Sequence, residues 1–307
     1  MNLLNKKIEF NNKTELTDEY EDYDPLNDIL FSKYMASKGC EKQFLSFINA
    51  VFSYHNEETV NDIKIINNKV LYPEIKGQKT CFLDLRSITD GGYKIITELQ
   101  NQDQYFFENR SVSYICGELY KSGEKGNVEN LKNHILINIL NFNYCKYNKH
   151  NAKFNMLDTT EIKCKYTDLL SIYNLDLVKF RKLKKVDFNN SVDRWAAFFN
   201  KKYNRKDFEK VIKMDENIKA AHESAQEFLQ DEQTRHEYDL INLIKNQYTS
   251  EKDYHAKKYL QIGKKEGKKE GKEEEKLNIA KSLKERGMSI DEIKKVTGLP
   301  LNKIKKL

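Results

Sequence analysis

The sequence contains no long apolar run. Its most hydrophobic stretch, residues 134–142 (HILINILNF), is much shorter than the roughly 18 residues that identify a membrane-spanning helix, and it suits a buried strand instead. The first 24 residues also lack the apolar segment of a secretory signal. These two absences predict a protein that neither spans a membrane nor is secreted.

Metal-ligand spacings of cysteine and histidine are also missing. The five cysteines (Cys40, Cys81, Cys116, Cys145 and Cys164) are scattered along the chain and include no C-x-x-C pair. The six histidines show no ligand spacing either, which argues against a zinc site. An odd number of scattered cysteines predicts reduced core thiols in a cytoplasmic protein.

Charged residues are abundant and unevenly placed. Of the 307 residues, 33% are charged and 39% are hydrophobic, which is typical of a protein with a highly charged surface. Residues 264–307 hold 14 Lys and Arg against 8 Asp and Glu, a surplus equal to the net charge of +6 of the whole chain. A basic tail on a neutral body predicts binding to a polyanion, and the alternative is a solvated charged helix.

Residues 81–100 (CFLDLRSITDGGYKIITELQ) predict two short strands joined by a tight turn, because D-G and G-G favour hairpins. A turn centred on Gly91 pairs Asp84 with Glu98, with Cβ atoms roughly 4.5–5.5 Å apart, unless a bulge shifts the register. Two facing carboxylates are costly without a proton or a cation between them, which predicts a metal site. The alternative is a half-buried hairpin whose two acids face solvent.

Hydrophobic periodicity predicts the other elements. Spacings of three and four residues predict two helices over 24–54, separated at Gly39, and another helix from Tyr105. Alternation predicts strands from Val60 and over 134–144, 151–162 and 166–180. The pattern is helical from Ser191 onwards. Ser191 or Asp193 is the candidate N-cap of this helix.

These elements predict an α/β fold in which flanking helices cover a mixed sheet. We expect five segments along the chain. They are a loose start (1–22), a core with the sheet (23–190), a helical extension packed on it (191–262), a charged tether or solvated helix (263–275) and a small helical tail (276–307).

The tail has the plan of a helix-turn-helix, in which the last helix enters a DNA groove. The elements of this plan are Gly287 and Gly298 as helix ends, Ser289 with Glu292 as a capping box, and Pro300 at the start of the last helix. The last helix carries Lys303, Lys305 and Lys306, which predicts contact with DNA. The alternative is a small bundle for self-association.

Several short motifs follow one another in a specific order. They are D-x-x-F at 28–31, F-L-D-L at 82–85, E-L-Q at 98–100, Arg110 with Tyr114, I-L-I-N-I-L-N-F at 135–142, D-R-W at 193–195, A-x-x-x-A-x-x-x-L at 221–229, the Gly/Lys/Glu segment and T-G-L-P at 297–300. Each motif is weak alone. Together, over nearly the whole chain from residue 24, they resemble the Rpn family of recombination-promoting nucleases and transposases, a branch of the PD-(D/E)XK nuclease superfamily.

The resemblance implies a restriction-endonuclease-like core with a helical C-terminal half, and an active site on the hairpin. Asp84 and Glu98 match the two acids of the family motif, and Gln100 occupies the usual position of a lysine. Asp28 matches an acidic position on the first helix that would complete the site. Ser32 occupies a position where the family usually has a lysine.

The implied activity is metal-dependent endonucleolytic cleavage of double-stranded DNA. Asp84, Glu98 and the Leu99 carbonyl would hold Mg²⁺ or Mn²⁺, which suit oxygen ligands. Gln100 would orient the attacking water through its amide but lacks the charge of a lysine, so we expect slower cleavage.

Arg110 and Tyr114 lie four residues apart and therefore share one helix face. Arg110 would hold a substrate phosphate; the alternative is a surface arginine paired with Glu108 or Glu118. For the whole protein, the alternative functions are a catalytically degenerate nuclease fold that binds DNA or protein, and a homo-oligomeric scaffold assembled through the tail.

Overall fold

The computed structural model describes residues 22–66, 85–102, 106–123, 130–144 and 146–307. The chain forms two compact units that divide between Ile241 and Asn242. The division into five segments stays a prediction, and nearly all of the segment expected to be loose lies outside the described residues.

Helices and strands occur where the hydrophobic periodicity predicts them, except that the strand predicted over 166–180 ends at Asp176 and residues 177–180 form a helix, whose first turn the Asp176 side chain caps. The helices are α1 (Asp28–Ala36), α2 (Glu41–Tyr54), α3 (Phe107–Gly123), α4 (Leu177–Phe180), α5 (Ser191–Phe199), α6 (Arg205–Met214), α7 (Glu216–Phe228), α8 (Glu232–Glu285), α9 (Ile290–Thr297) and α10 (Leu301–Lys305). The strands are β1 (Ile63–Ile65), β2 (Leu85–Thr89), β3 (Lys94–Gln100), β4 (His134–Leu140), β5 (Asn151–Leu157) and β6 (Lys165–Asp176).

The strands form one mixed sheet in the order β1-β2-β3-β4-β6-β5. β3, β4 and β6 are parallel, and the outer pairs are antiparallel. A parallel pair needs a long crossover, which contains α3 between β3 and β4. Parallel strands are normally covered on both faces, and every residue of β4 is buried. The predicted α/β fold is confirmed.

β2 and β3 form the predicted hairpin around the D-G-G turn. Gly92 has φ of +78°, a left-handed conformation that glycine adopts without steric cost. Leu85 pairs with Thr97. The register expected for a turn centred on Gly91 is therefore confirmed for the described pairs, and Asp84 lies outside the described residues.

One face of the sheet packs against helices, with aromatic rings at the centre. Trp195 of α5 lies edge-on to Phe47 of α2, with ring centroids 5.7 Å apart, and the indole is fully buried. Phe199 contacts both rings, and Leu99 of β3 belongs to the same cluster. α5 therefore shares a core with the sheet.

α3 covers the opposite face of the sheet. Its Ile115 packs against Ile96 of β3 and Leu136 of β4. β3 is therefore covered on both faces, and Glu98 is only 3% exposed. The alternative of a solvent-facing Glu98 is wrong. Alternation along a strand separates its two faces but does not tell what covers each of them.

The N-cap of α5 is Asn190, and the predicted caps Ser191 and Asp193 are wrong. The Asn190 side chain accepts a hydrogen bond from the Val192 backbone N–H at 3.0 Å. Asp193 instead lies inside the first turn, where its carboxylate contacts the imidazole Nε2 of buried His150 at 2.9 Å. A contact between residues 43 positions apart cannot be read from local sequence.

The expectation of reduced core thiols holds only in part. Cys40, Cys116 and Cys164 are free thiols, but Cys116 and Cys164 are exposed and only Cys40 is buried. Cys81 and Cys145 lie outside the described residues. Scattered cysteines indicate unpaired thiols without indicating their depth in the fold.

The second unit contains most of α8 together with α9 and α10. The capping box of Ser289 and Glu292 is confirmed, and Gly287 and Gly298 follow the helices they end, with φ of +82° and +69°. Residues 263–275 lie within α8, as expected for a solvated helix. No described helix is both long and apolar enough to cross a membrane. The small core of this unit consists of Ala280, Ile293, Leu299 and Ile304.

A buried polar network joins α3 to the start of β4. His134 donates from Nδ1 to the Lys132 carbonyl at 2.8 Å, and its Nε2 lies 2.9 Å from Ser122 Oγ. Lys94 donates to the same Ser122 hydroxyl oxygen at 2.5 Å. Burial lowers the pKa of His134, and the nearby Lys94 ammonium lowers it further.

We expect the free energy of unfolding to decrease below about pH 6.5, the ordinary pKa of histidine. There the unfolded chain takes up a proton that folded His134 resists, so acid favours unfolding, by at most about 1.4 kcal/mol per pH unit. Urea unfolding at a series of pH values measures this slope. His134→Asn should reduce it, and the exposed His236→Asn should not. Equal slopes for the wild type and His134→Asn would contradict the expectation.

Candidate active site

Two predicted site residues lie at the carboxyl end of β3. Glu98 and Gln100 alternate with the core residue Leu99, so their side chains occupy the face that α3 covers. They are 3% and 6% exposed. A buried carboxylate needs hydrogen-bond donors, and the Gln100 amide Nε2 is one, 3.3 Å from Glu98 Oε2.

Arg110 lies next to Gln100 in this face. Its guanidinium Nη2 donates to the Gln100 Oε1 at 2.5 Å. Because arginine only donates and a carboxylate only accepts, the Gln100 amide has one orientation between Arg110 and Glu98. The Arg110 Nε is buried without a hydrogen-bond partner among the described residues.

Both acids proposed as surface partners of Arg110 bind other cations. Glu118 pairs with Arg86 at 2.5 Å, and Glu108 pairs with Lys146 at 2.5 Å. The alternative of a surface ion pair for Arg110 is therefore wrong. Sequence spacing indicates only partners on the same helix, so Gln100, the partner of Arg110 on the sheet, was not predicted.

Tyr114 follows Arg110 by one helical turn and is half-buried. It packs against the apolar cluster that α3 forms with β3 and β4. The two side chains share the α3 face that covers the sheet, as their spacing predicts. Catalytic roles for Arg110 and Tyr114 stay predictions.

Asp28 reaches the same end of the sheet from the first turn of α1. Its carboxylate accepts a 3.4 Å contact from the side-chain amide of Asn101, the residue after Gln100. Asn101 also donates to the Leu26 carbonyl at 2.7 Å. Ser32 does not extend this group, since its hydroxyl donates to the Ile29 carbonyl of its own helix at 2.8 Å.

Asn101 was missed by the sequence reasoning, although a polar residue directly after a buried strand was a usable indication. It links Asp28 to a second arginine. The Arg181 guanidinium donates to the Asn141 Oδ1 at 3.0 Å, and the Asn141 amide donates to the Asn101 Oδ1 at 3.4 Å. The donors thus run in one direction, from an arginine through two amides to a carboxylate.

Two buried asparagines extend the polar surface beside Glu98. Asn138 of β4 pairs in register with Glu98, and Asn174 of β6 pairs with Asn138. The Asn138 amide donates to the Asn174 Oδ1 at 2.8 Å. The Asn138 Oδ1 is buried without a hydrogen-bond partner in the described part of the chain. An asparagine inside the apolar run of residues 134–142 was the indication that sequence reasoning passed over.

The donor atoms at this end of the sheet are oxygens, which suit Mg²⁺ or Mn²⁺ better than zinc. Glu98 supplies a buried carboxylate, and the orphaned Asn138 Oδ1 belongs to the residue paired with it. Within the described ranges, no three Asp, Glu, His or Cys side chains form a metal-binding group. Asp84 lies outside those ranges, so its pairing with Glu98 and the ligand role of the Leu99 carbonyl stay predictions.

The tail lysines differ in their partners. Lys303 was expected to contact DNA, but its ammonium group forms an ion pair with Glu273 of α8. Lys305 and Lys306 are exposed. DNA contact by these lysines stays a prediction.

Comparison with known proteins identifies one family. The model of the PD-(D/E)XK nuclease family transposases matches residues 25–255, which is more than half of the chain. The match includes β3 with Glu98 and Gln100, α3 with Arg110 and the strands that follow. The chain has no match among curated proteins or among solved structures.

Proposed function

Because the chain belongs to the PD-(D/E)XK nuclease family transposases, we propose that it is a metal-dependent endonuclease of the recombination-promoting Rpn type that hydrolyses double-stranded DNA. The family supports a nuclease-type function. The observation that carries the proposal is the buried Glu98 carboxylate, joined through Gln100 to Arg110.

The metal ligands we propose are Asp84, Glu98 and the Leu99 carbonyl, with Mg²⁺ or Mn²⁺ as the ion. A bound divalent ion would supply a hydroxide nucleophile at neutral pH and neutralise charge on the phosphate. Burial of Glu98 favours this role, because an ion offsets the cost of a desolvated carboxylate.

Arg110 supplies the positive charge that a lysine at position 100 would bring. A lysine there would face the Arg110 guanidinium, whereas the amide oxygen of Gln100 accepts from it at 2.5 Å. The Gln100 amide has two N–H groups and two lone pairs, and Arg110 and Glu98 use one of each. The second N–H group and the second lone pair can orient a water molecule. Arg110 is half-buried as a residue, and we propose that its guanidinium also holds a substrate phosphate.

Asp28 and Tyr114 complete the proposed site. Asp28 accepts from Asn101 at the end of β3 and adds negative charge beside the metal ligands. Tyr114 lies on the same face of α3 as Arg110, where its ring supports the helix against the sheet. Both roles rest on position beside Glu98 and Gln100.

A second candidate function is a nuclease fold that binds DNA or protein without cutting. The observation that favours it is Gln100 in the place of the usual lysine. The basic tail would then contribute the affinity, with Lys305 and Lys306 as exposed cations, and self-association would make the protein a homo-oligomer.

A cytoplasmic location for either function is supported by the free thiols of Cys116 and Cys164.

Removal of either acid should abolish cleavage of supercoiled plasmid. We expect Asp84→Asn and Glu98→Gln to lower the nicking rate in Mg²⁺ or Mn²⁺ by at least about 100-fold, the order seen when one charge-stabilising group leaves an active site. Gel analysis of nicked plasmid over a metal titration measures the rate.

The matched controls are Asp90→Asn in the turn of the same hairpin and Glu58→Gln, both exposed, which should cut like the wild type. The site assignment is wrong if the wild type cuts and the two acid variants cut equally well. DNA binding without cutting by the wild type would favour the second candidate function.

A positive charge at position 100 should partly replace the positive charge of Arg110. We expect Arg110→Ala to slow nicking and the double variant Arg110→Ala/Gln100→Lys to recover part of the loss, because the two positions are in contact and therefore not additive. The control is Arg205→Ala, which removes an exposed arginine paired with Glu209. No recovery in the double variant, with melting temperatures unchanged, would reject this role for Arg110.

The two exposed tail lysines should contribute to duplex binding through phosphates. Lys305→Ala/Lys306→Ala should weaken binding and reduce the slope of log affinity against log salt by about 0.9 for each lost contact. Fluorescence anisotropy with a blunt duplex at several salt concentrations measures the slope. Lys149→Ala/Lys163→Ala, which removes two exposed lysines of the first unit, is the charge-matched control. If both double variants give the same slope, the tail has no specific part in binding.

A further inference from the structure

A basic pocket lies at the end of β6, apart from the residues assigned to cleavage. It has a volume of about 720 Å³ and is formed by α4, residues 181–190, α5 and the start of α6. Among the described residues that line it, four are cationic and Asp207 is the one acid. The four cations are Arg181, Lys184, Lys185 and Lys210.

Arg181 lies over the ring of Tyr203 in this pocket. The guanidinium carbon of Arg181 lies 3.8 Å from the centroid of the Tyr203 ring. Asn141 and Asn200 fix the guanidinium by accepting hydrogen bonds at 3.0 and 3.1 Å. The Tyr203 residue is nevertheless 56% exposed. An exposed aromatic ring held in place by an arginine is a preformed surface for stacking a nucleobase.

The rest of the pocket suits a phosphate beside an apolar ring. Lys184 and Lys185 are exposed at its rim, where their ammonium groups can meet a phosphate without leaving water. Lys210 lies with its ammonium 3.8 Å from the ring centroid of Phe188. The Asp207 carboxylate accepts from the Asn204 amide at 2.7 Å. An acidic peptide would use the cations but would leave the aromatic surface without a partner.

The pocket is connected to the candidate active site by hydrogen bonds. Arg181 donates to Asn141, Asn141 to Asn101, and Asn101 to Asp28. Asn101 follows β3, Asn141 follows β4 and Arg181 follows β6 by five residues, so all three lie at the carboxyl ends of the parallel strands. The pocket and the candidate active site therefore share the edge of the sheet at which these strands end, although Glu98 lies on the face that α3 covers.

We propose that the pocket binds an unpaired nucleotide of the DNA strand next to the cleavage site. The base stacks on the exposed part of the Tyr203 ring, which Arg181 holds from the other side, and the adjoining phosphates contact Lys184 and Lys185. A paired base is stacked inside the duplex and cannot reach Tyr203. The preferred substrate is therefore DNA with a single-stranded segment beside a duplex. This inference rests on the proposed function and specifies its substrate.

The test measures binding of the full-length protein by fluorescence anisotropy in EDTA, where metal-dependent cleavage cannot occur. The probes are a labelled single strand, a blunt duplex of the same length and a duplex with a single-stranded overhang. Tyr203→Ala should weaken binding of the single strand and the overhang roughly tenfold to hundredfold, because one stacked base is lost, and should leave the blunt duplex unchanged. Tyr203→Phe keeps the ring and should bind like the wild type.

Matched controls separate the pocket from exposed rings and charges in general. Tyr166→Ala removes a ring that is 82% exposed on β6, and Lys149→Ala/Lys163→Ala removes two exposed lysines elsewhere in the first unit. Lys184→Ala/Lys185→Ala should weaken binding of the single strand and the overhang through lost phosphate contacts. Neither control should reproduce this loss or the loss caused by Tyr203→Ala. Thermal unfolding of each variant checks that the fold is retained.

Three results would overturn the proposal. The first is that Tyr203→Ala and Tyr166→Ala lose equal affinity for the single strand, and the second is that Tyr203→Ala loses equal affinity for the single strand and the duplex. The third is a Tyr203→Phe variant that binds as weakly as Tyr203→Ala. Competition by inorganic phosphate as effective as that by a mononucleotide would also overturn it, because a phosphate site alone does not need the ring. The predicted binding pattern without cutting in Mg²⁺ or Mn²⁺ would reject the proposed function and retain the pocket.

Discussion

The polar end of the sheet depends on amide side chains that join arginines, which only donate hydrogen bonds, to carboxylates, which only accept them. An amide can stand between the two because it both accepts and donates. Arg110 reaches Glu98 through Gln100, and a second chain of amides leads from Arg181 to Asp28 through Asn141 and Asn101. Each amide has one orientation that satisfies both neighbours, so charges that would be costly alone are held in a fixed arrangement at a partly buried edge of the sheet.

This arrangement gives the glutamine at position 100 a physical reason. An ammonium group there would lie against the Arg110 guanidinium, and two cations in a desolvated layer repel each other strongly. A glutamine accepts from Arg110 and still donates to Glu98. Under the proposed function, the charge expected on the strand would come from Arg110 of α3. Gln100, which replaces the usual lysine, is the residue whose amide oxygen accepts from Arg110.

Local sequence predicted the features that local physics determines. The D-G-G turn determined the hairpin register seen at Leu85 and Thr97, and Ser289 with Glu292 predicted the start of α9. Features that depend on distant parts of the chain were missed. Burial of Glu98 requires α3 on one side and the helical core on the other, and Asp193, which was predicted as a cap, instead contacts His150. Asp84 stays a prediction on the sequence alone.

The parallel arrangement of β3, β4 and β6 has a consequence for how such a protein can diversify. The strands hold Glu98, Gln100 and Asn138 by main-chain pairing and packing on both faces, so substitutions there disturb the sheet. Residues 181–190 follow the last of these strands and include exposed positions. Mutations in that loop can change which nucleic acid is held without moving the carboxylates. Selection acting on substrate choice and selection acting on chemistry therefore fall on separate stretches of one chain.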